Sequence, residues 1–124
     1  MPIKVKRIYD PYQSEDGWRV LVDHIWPRGV SKERAHLDQW YKELAPSTQL
    51  RNWFCHIPEK FPEFTKAYRA ELDKKPIAQE LTRQILSKAK ESQVTLLYAA
   101  RDSEHNQAVV LRDYLTEKNG EPEG

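Results

Sequence analysis

Three short apolar segments of this chain have the pattern of β-strands. Near the N-terminus, apolar residues from Ile3 to Tyr9 alternate with lysines, as in a strand with one buried face. The segments from Trp18 to Trp26 and from Val94 to Ala99 each contain an apolar run of strand length. In the second segment the run Val20-Leu21-Val22 is typical of a central strand covered on both faces. We therefore predict three strands.

Between the second and third strands, apolar residues recur every three or four positions, which is the spacing of helices with one buried face. Ser31 and Ser47 are of a type that commonly caps a helix N-terminus, and prolines separate the segments. One more helix follows the third strand. The predicted helices cover residues 31–44, 47–54, 61–74, 77–89 and 104–118.

The order of these elements predicts an α/β fold with a small, mostly parallel sheet and flanking helices. If the second and third strands pair in parallel, the helices between them form a crossover connection. The length of 124 residues is that of one domain, which we place at residues 1–118, followed by a flexible C-terminal tail at 119–124. The carboxyl ends of both strands would then lie at one edge of the sheet.

Polar residues follow both strands at that edge, where open α/β sheets bind ligands. Arg28 follows the second strand and Arg101 the third, and guanidinium groups suit carboxylates and phosphates. We therefore expect an anion site at Arg28 and Arg101. The alternative is a structural role, in which Arg28 pairs with Asp23 and Arg101 with Asp102 or Glu104.

Asp23 and His105 are the candidates for acid–base chemistry. A carboxylate at the end of an apolar strand is partly desolvated, so Asp23 is either a general base or a group that orients Arg28. His24 would point to the opposite face of the strand. His105, expected in the first turn of the last helix, is either an acid or base or a capping residue.

Other residues at the same edge are candidates for ligand contact. Trp26 and Tyr98 would form an aromatic wall for a flat ligand, or would simply pack in the core. Asn106 is a hydrogen-bonding group beside His105. The predicted ligand-binding residues are Trp26, Arg28, Tyr98, Arg101, Asp102 and Asn106.

Several kinds of chemistry are not indicated. Asp23, His24, Asp102 and His105 are the available metal ligands, but no helix has the usual ligand spacing, so we predict no metal site. Cys55, the one cysteine, stands among aromatic residues and is expected to be a buried, inert thiol. None of the four glycines forms a dinucleotide- or triphosphate-binding loop, and the cofactor, if any, is unknown.

The net charge and the apolar content of the sequence do not favour a general nucleic-acid-binding protein or a membrane protein. The net charge is +1, with acidic and basic residues interspersed, which does not indicate general binding to nucleic acid. An apolar signal or membrane-spanning segment is absent from the sequence, and we expect a cytoplasmic protein with no membrane partner. A nucleic-acid-associated or regulatory module is the alternative function, through a basic row of Lys4, Lys6, Arg7, Lys32 and Arg34.

Several blocks of this sequence closely resemble the YeaO-like branch of a family of uncharacterised bacterial proteins (DUF488). The blocks are Tyr9-Asp10-Pro11, the run from Val22 to Lys32 with its Trp-Pro-Arg-Gly motif, Glu43-Leu44-Ala45-Pro46-Ser47, Trp53-Phe54, and the run from Leu96 to Asp102 with Glu104-His105-Asn106. The resemblance covers nearly the whole chain and implies a small, cytoplasmic α/β protein without an established activity. A related branch has a cysteine where Tyr98 stands and Cys-His-Arg at residues 106–108, so thiol or metal chemistry does not transfer.

The function that this sequence favours is binding of a small anionic ligand, phosphate- or nucleotide-like. Proton transfer by Asp23 or His105 would make the protein an enzyme. The sequence specifies neither the ligand, the reaction nor the oligomeric state.

Overall fold

The computed structural model describes residues 3–119, which form a four-stranded sheet in which every neighbouring pair is parallel. The strands are β1 (Ile3–Arg7), β2 (Trp18–Leu21), β3 (Gln39–Trp40) and β4 (Val94–Tyr98), and their order across the sheet is β1-β4-β2-β3. The predicted parallel pairing of the second and third apolar strands is confirmed by the contact between β2 and β4.

Among residues 3–119, four helices and three single 3-10 turns lie between the strands, and a fifth helix follows β4. The helices are α1 (Lys32–Ala35), α2 (Thr48–Phe54), α3 (Phe61–Lys74), α4 (Pro76–Ala89) and α5 (Gln107–Asn119). The 3-10 turns are Ser14–Asp16, Lys42–Leu44 and Pro58–Lys60. Within residues 3–119, no helix combines the length and the apolar character needed to cross a lipid bilayer.

The two faces of the sheet are covered differently, because successive side chains of a strand point to opposite sides. One face carries Val20, Leu96 and Tyr98, which pack in a large apolar core together with residues of α2, α3, α4 and α5. The other face carries Leu21 and Leu97, which pack in a smaller cluster with residues that flank α1. The confirmed fold class is therefore α/β.

A buried ionic cluster lies beside the amino ends of β2 and β4. The Arg19 guanidinium donates to the Asp16 carboxylate. It also donates to the carbonyl of Ala35 at 2.9 Å. The side chains of Arg19 and Asp16 are almost fully buried. Lys6 Nζ donates to the same carboxylate at 3.0 Å. The hydroxyl of Thr95 donates to the backbone carbonyl of Asp16 at 2.7 Å, which ties this loop to β4.

Four predicted boundaries need correction. Residues 31–44 are not one helix, because only α1 is helical and residues 39–40 join the sheet as β3. The second strand ends at Leu21 and the first at Arg7, although Val22 and Ile8 each still donate one backbone hydrogen bond to β4, at 3.1 and 2.8 Å. The last helix begins at Gln107 rather than at 104. The predicted tail lies outside the described residues, except for Asn119.

Candidate functional site

A cavity of about 970 Å³ opens at the carboxyl ends of β1, β2 and β4. Because the three strands are parallel, the residues that follow them reach the same edge of the sheet. Arg51 of α2 and Gln107 of α5 also line it. The cavity is lined by Arg7, Tyr9, Asp23, His24, Ile25, Ala45, Arg51, His56, Ala99, Ala100, Arg101, Asp102 and Gln107.

Asp23 joins the ends of two strands to the start of α5. One carboxylate oxygen accepts a hydrogen bond from the backbone N–H of Ala99 at 3.0 Å, and the other accepts from the side-chain amide of Gln107. Burial raises the pKa of Asp23 to about 6, although these two bonds and the nearby His56 and Arg51 act in the opposite direction. Asp23 is therefore a cavity-lining carboxyl group whose pKa lies well above its ordinary value.

Three arginines from three different segments line the same cavity. Arg7, at the end of β1, donates through Nε to the carbonyl of Ala100 at 2.9 Å, and its guanidinium lies 4.6 Å from the ring centre of Tyr9. Arg51, on α2, donates to the carbonyl of Pro46 at 3.1 Å. Arg101, after β4, is exposed. Within residues 3–119, none of the three forms an ion pair with a carboxylate.

The loop between β4 and α5 is a compact turn organised by Asp102. Its carboxylate accepts from the backbone N–H groups of Glu104 and His105, at 2.9 and 3.0 Å, and contacts Nδ1 of His105 at 2.8 Å. The bonds from Glu104 and then from the His105 ring hold the pKa of Asp102 below its usual range. The His105 ring lies edge-on to Phe61, 5.1 Å between centres, and it does not line the cavity.

Asn106, predicted as a ligand contact, is buried and caps the N-terminus of α5. It is 1% exposed, and its Oδ1 accepts from the backbone N–H of Val109 at 3.1 Å, which caps α5. His105 therefore precedes α5 instead of lying in its first turn, which corrects the predicted placement.

Three more predicted contact residues lie outside the cavity. Trp26 packs against the smaller core cluster, edge-on to Trp40, and donates through Nε1 to the carbonyl of Val30 at 2.6 Å. Tyr98 packs in the large core, where burial raises the pKa of its hydroxyl. Arg28 is exposed and is absent from the cavity lining, and its backbone carbonyl accepts a hydrogen bond from the hydroxyl of Tyr9, a cavity residue, at 2.8 Å. Of the predicted site residues, Asp23, Arg101 and Asp102 line the cavity together.

The C-terminus of α2 contributes His56 in a conformation that is uncommon for a side-chain-bearing residue. Cys55 and His56 follow one another with φ values of 47° and 57°, both in the left-handed region. This sharp turn carries the chain from α2 to the cavity wall. Cys55 is exposed, so the prediction of a buried thiol was wrong. The aromatic neighbours suggested burial, but only Phe54 of them points into the core.

Sequence reasoning missed two of the three arginines. Arg7 continues a run of basic residues in β1, and only the position of β1 beside β4 brings its guanidinium to the cavity. Arg51 depends on how α2 docks, for which the sequence carries no local signal. Arg7 could have been predicted, because it stands at the carboxyl end of a strand that is parallel to its neighbour.

Two other predictions bear on the chemistry of the site. Across the described residues, no group of three or more histidine, cysteine, aspartate or glutamate side chains is placed to bind a metal ion. The basic row considered for nucleic acid is interrupted, because Lys4 and Lys6 both pair with Asp16, at 3.3 and 3.0 Å. Arg7, a third member of that row, lines the cavity instead.

Comparison with known proteins identifies relatives along the whole chain. Residues 2–123 match the family model described as the inactive DUF488-N3 subclade. The uncharacterised protein YeaO of Escherichia coli is 41% identical over 115 residues, which cover 93% of this chain and 97% of that protein. The uncharacterised protein Rv3073c of Mycobacterium tuberculosis is 39% identical over 113 residues, covering 91% and 92% of the two chains. No solved structure matches significantly. The chain therefore belongs to the DUF488 family, in the subclade described as inactive.

Proposed function

We propose that this protein binds a small anionic ligand of phosphate-like chemistry in the cavity at the strand ends. The observation that carries the proposal is the convergence of Arg7, Arg51 and Arg101 on one cavity without a carboxylate partner for any of them among residues 3–119. Guanidinium groups are rigid forks of donors that match phosphate and carboxylate oxygens.

The surroundings favour an anion over a neutral ligand. His24 and His56 line the cavity with the arginines and add positive charge when they are protonated. Gln107, the first residue of α5, also lines it, so the positive end of the helix dipole faces the same space. The lining also contains the carboxylates of Asp23 and Asp102, but the arginines outnumber them, and an excess of positive charge in a concave site concentrates anions.

Several observations support binding without turnover. Proton transfer by the predicted pair of catalytic residues would need both of them within reach of one reacting group. Asp23 lines the cavity, whereas His105, the other predicted catalytic residue, is held by Asp102 and Phe61 outside the lining. The description of the matching family model as inactive agrees with a binding role.

Titration of inorganic phosphate into the protein by calorimetry tests the proposal. Arg101→Gln is the cleanest variant, because Arg101 is exposed and its removal leaves the bonds of Arg7 and Arg51 intact. We expect phosphate to bind about tenfold more weakly to this variant, the loss of one charge-assisted hydrogen bond.

Two further arginine variants control this experiment. Arg83→Gln removes an arginine that pairs with Glu80 on the exposed side of α4, and Arg28→Gln removes the predicted site arginine that is absent from the cavity lining. Both are expected to bind phosphate as the unmodified protein does. Undetectable phosphate binding by every form of the protein, or a loss that is equal in all three variants, would overturn the proposal.

A further inference from the structure

Asp23 is a cavity-lining carboxylate whose charge is not paired. Its two hydrogen-bond donors, the Ala99 N–H and the Gln107 amide, are both neutral. Within residues 3–119 it forms no ion pair, although three arginines line the same cavity. A carboxylate offers about four lone pairs, so acceptor capacity remains for a group that enters the cavity.

Arg7 and Arg51 make their hydrogen bonds to neutral groups, although Arg51 and His56 lie near enough to lower the pKa of Asp23 through their charge. Arg7 donates to a backbone carbonyl and lies over the Tyr9 ring. Arg51 donates to the carbonyl of Pro46 and to the hydroxyl of Thr48, at 3.1 and 2.9 Å. The cavity therefore keeps separate positive and negative groups instead of neutralising them internally.

The second carboxylate of the cavity is occupied. Asp102 accepts from two backbone N–H groups and contacts the His105 ring, so its oxygens are committed to the turn before α5. Asp23 accepts two hydrogen bonds whereas Asp102 makes three such contacts, so Asp23 has more room for another donor. A simple anion would be repelled by ionised Asp23, whereas a ligand that also carries an N–H donor would be attracted by it.

We infer that the ligand of this cavity has two poles: an anionic group bound by the arginines and an ammonium or similar N–H donor bound by Asp23. This inference rests on the proposed anion-binding function and names the class of ligand. Amino-group-bearing phosphates and other small zwitterions belong to that class. The role of Asp23 is to select among anions, not to hold the anionic group.

A pair of probes that differ in one group tests the inference. O-phosphoethanolamine carries a phosphate and an ammonium group, and monoethyl phosphate is a close analogue without the ammonium. At pH 8, where Asp23 is ionised, we expect the unmodified protein to bind O-phosphoethanolamine about tenfold more tightly, as measured by calorimetry. Equal affinities would overturn the inference while leaving anion binding intact.

Variants then assign the preference to one carboxylate. In Asp23→Asn, the amide oxygen still accepts from Ala99 and a flipped Gln107 side chain still pairs with the new amide, so the tie between strands is kept. We expect this variant to bind both probes equally and to bind inorganic phosphate at least as tightly as before. Asp113→Asn, an exposed change of the same charge on α5, is expected to keep the preference.

The outcomes separate the two proposals. If phosphate does not bind at all, the proposed function fails. If phosphate binds but Asp23→Asn keeps the tenfold preference, or Asp102→Asn alone removes it, the assignment to Asp23 fails. The comparison of the two probes on the unmodified protein needs no variant to fold.

Discussion

Folding makes ionisation of the Asp23 carboxyl group less favourable, because the group becomes buried. Burial raises its pKa from the ordinary value of 3.8 to about 6. The folded protein therefore holds this proton more tightly than the unfolded chain does. The resulting contribution to stability is fully present below pH 4 and is lost as the pH rises through about 6.

The first prediction follows from that titration. Asp23→Asn carries no charge to desolvate, so at pH 7.5 we expect its free energy of unfolding to exceed that of the unmodified protein by about 2–3 kcal/mol. At pH 4 the difference should nearly vanish. Urea unfolding at the two pH values measures both quantities. Asp113→Asn should show no such change with pH, and an Asn variant that is less stable at pH 7.5 would contradict the argument.

At this scale, sequence reasoning finds residues that follow a strand directly. Asp23, Arg101 and Asp102 were predicted because the hydrophobic pattern marks where β2 and β4 end, and all three line the cavity. Arg28 stands only five positions beyond Asp23, but the loop carries its side chain away. The course of such a loop depends on long-range contacts, here the hydrogen bond from the Tyr9 hydroxyl to the Arg28 carbonyl. The local hydrophobic pattern does not predict such contacts.

Among the elements, α5 begins where Asn106 caps it, directly beside the cavity. The Asn106 side chain is buried and makes two hydrogen bonds, to the Val109 N–H and to the Asp102 carbonyl. It thus links the first turn of the helix to the loop that carries Arg101.

We predict that Asn106→Ala lowers the free energy of unfolding by about 1–2 kcal/mol, because it removes a helix cap. Thermal or urea unfolding measures this loss. Ser103→Ala, an exposed change in the same loop, should leave stability within about 0.5 kcal/mol. A loss no larger than that of Ser103→Ala would argue against the capping role.

The elements predicted from a regular pattern were largely confirmed. Helices α3 and α4 carry clean three-to-four residue stripes, and both are present. The segment 31–44 misled because Trp40 and Tyr41 are neighbours that serve different cores: Tyr41 packs in the large one and Trp40 in the smaller one. A two-sided extended segment followed by a 3-10 turn thus imitates the spacing of a helix.

At the scale of the whole molecule, the two edges of the sheet differ: one has a buried ionic cluster and the other has the cavity. The cluster of Asp16, Arg19 and Lys6 is buried beside the amino ends of the central strands, whereas the cavity lies at their carboxyl ends. Desolvation alone would raise the pKa of Asp16, but hydrogen bonds from Lys6, the Gln13 backbone and Lys4 outweigh it and lower the pKa to about 2. This contribution is present above about pH 4 and is lost as the pH falls through about 2.

We predict that Asp16→Asn destabilises the protein by about 3 kcal/mol, because it leaves the buried Arg19 without its ionic partner. Urea unfolding at neutral pH measures the loss. Glu80→Gln, which breaks an exposed pair on α4, should cost less than about 1 kcal/mol. Similar effects of the two substitutions would show that the buried cluster is not a main source of stability.

The class of fold followed from the order of the elements, but the position of β1 did not. Hydrophobic runs and the crossover argument predicted the parallel β2–β4 pair. The sheet order places β4 between β1 and β2, and β1 is held there by its pairing with β4, which is 91 residues away along the chain at Ile3 and Val94. For that reason Arg7, at the end of β1, was missed, as was Arg51, whose position depends on how α2 docks.

The turn at Cys55 and His56 provides a site for attaching a probe close to the cavity. The chain has a single cysteine, its thiol is exposed, and the next residue lines the cavity. A fluorophore attached there would be unique in the molecule and would stand at the cavity mouth. Occupancy of the cavity then becomes an optical signal, obtained without introducing or removing any other thiol.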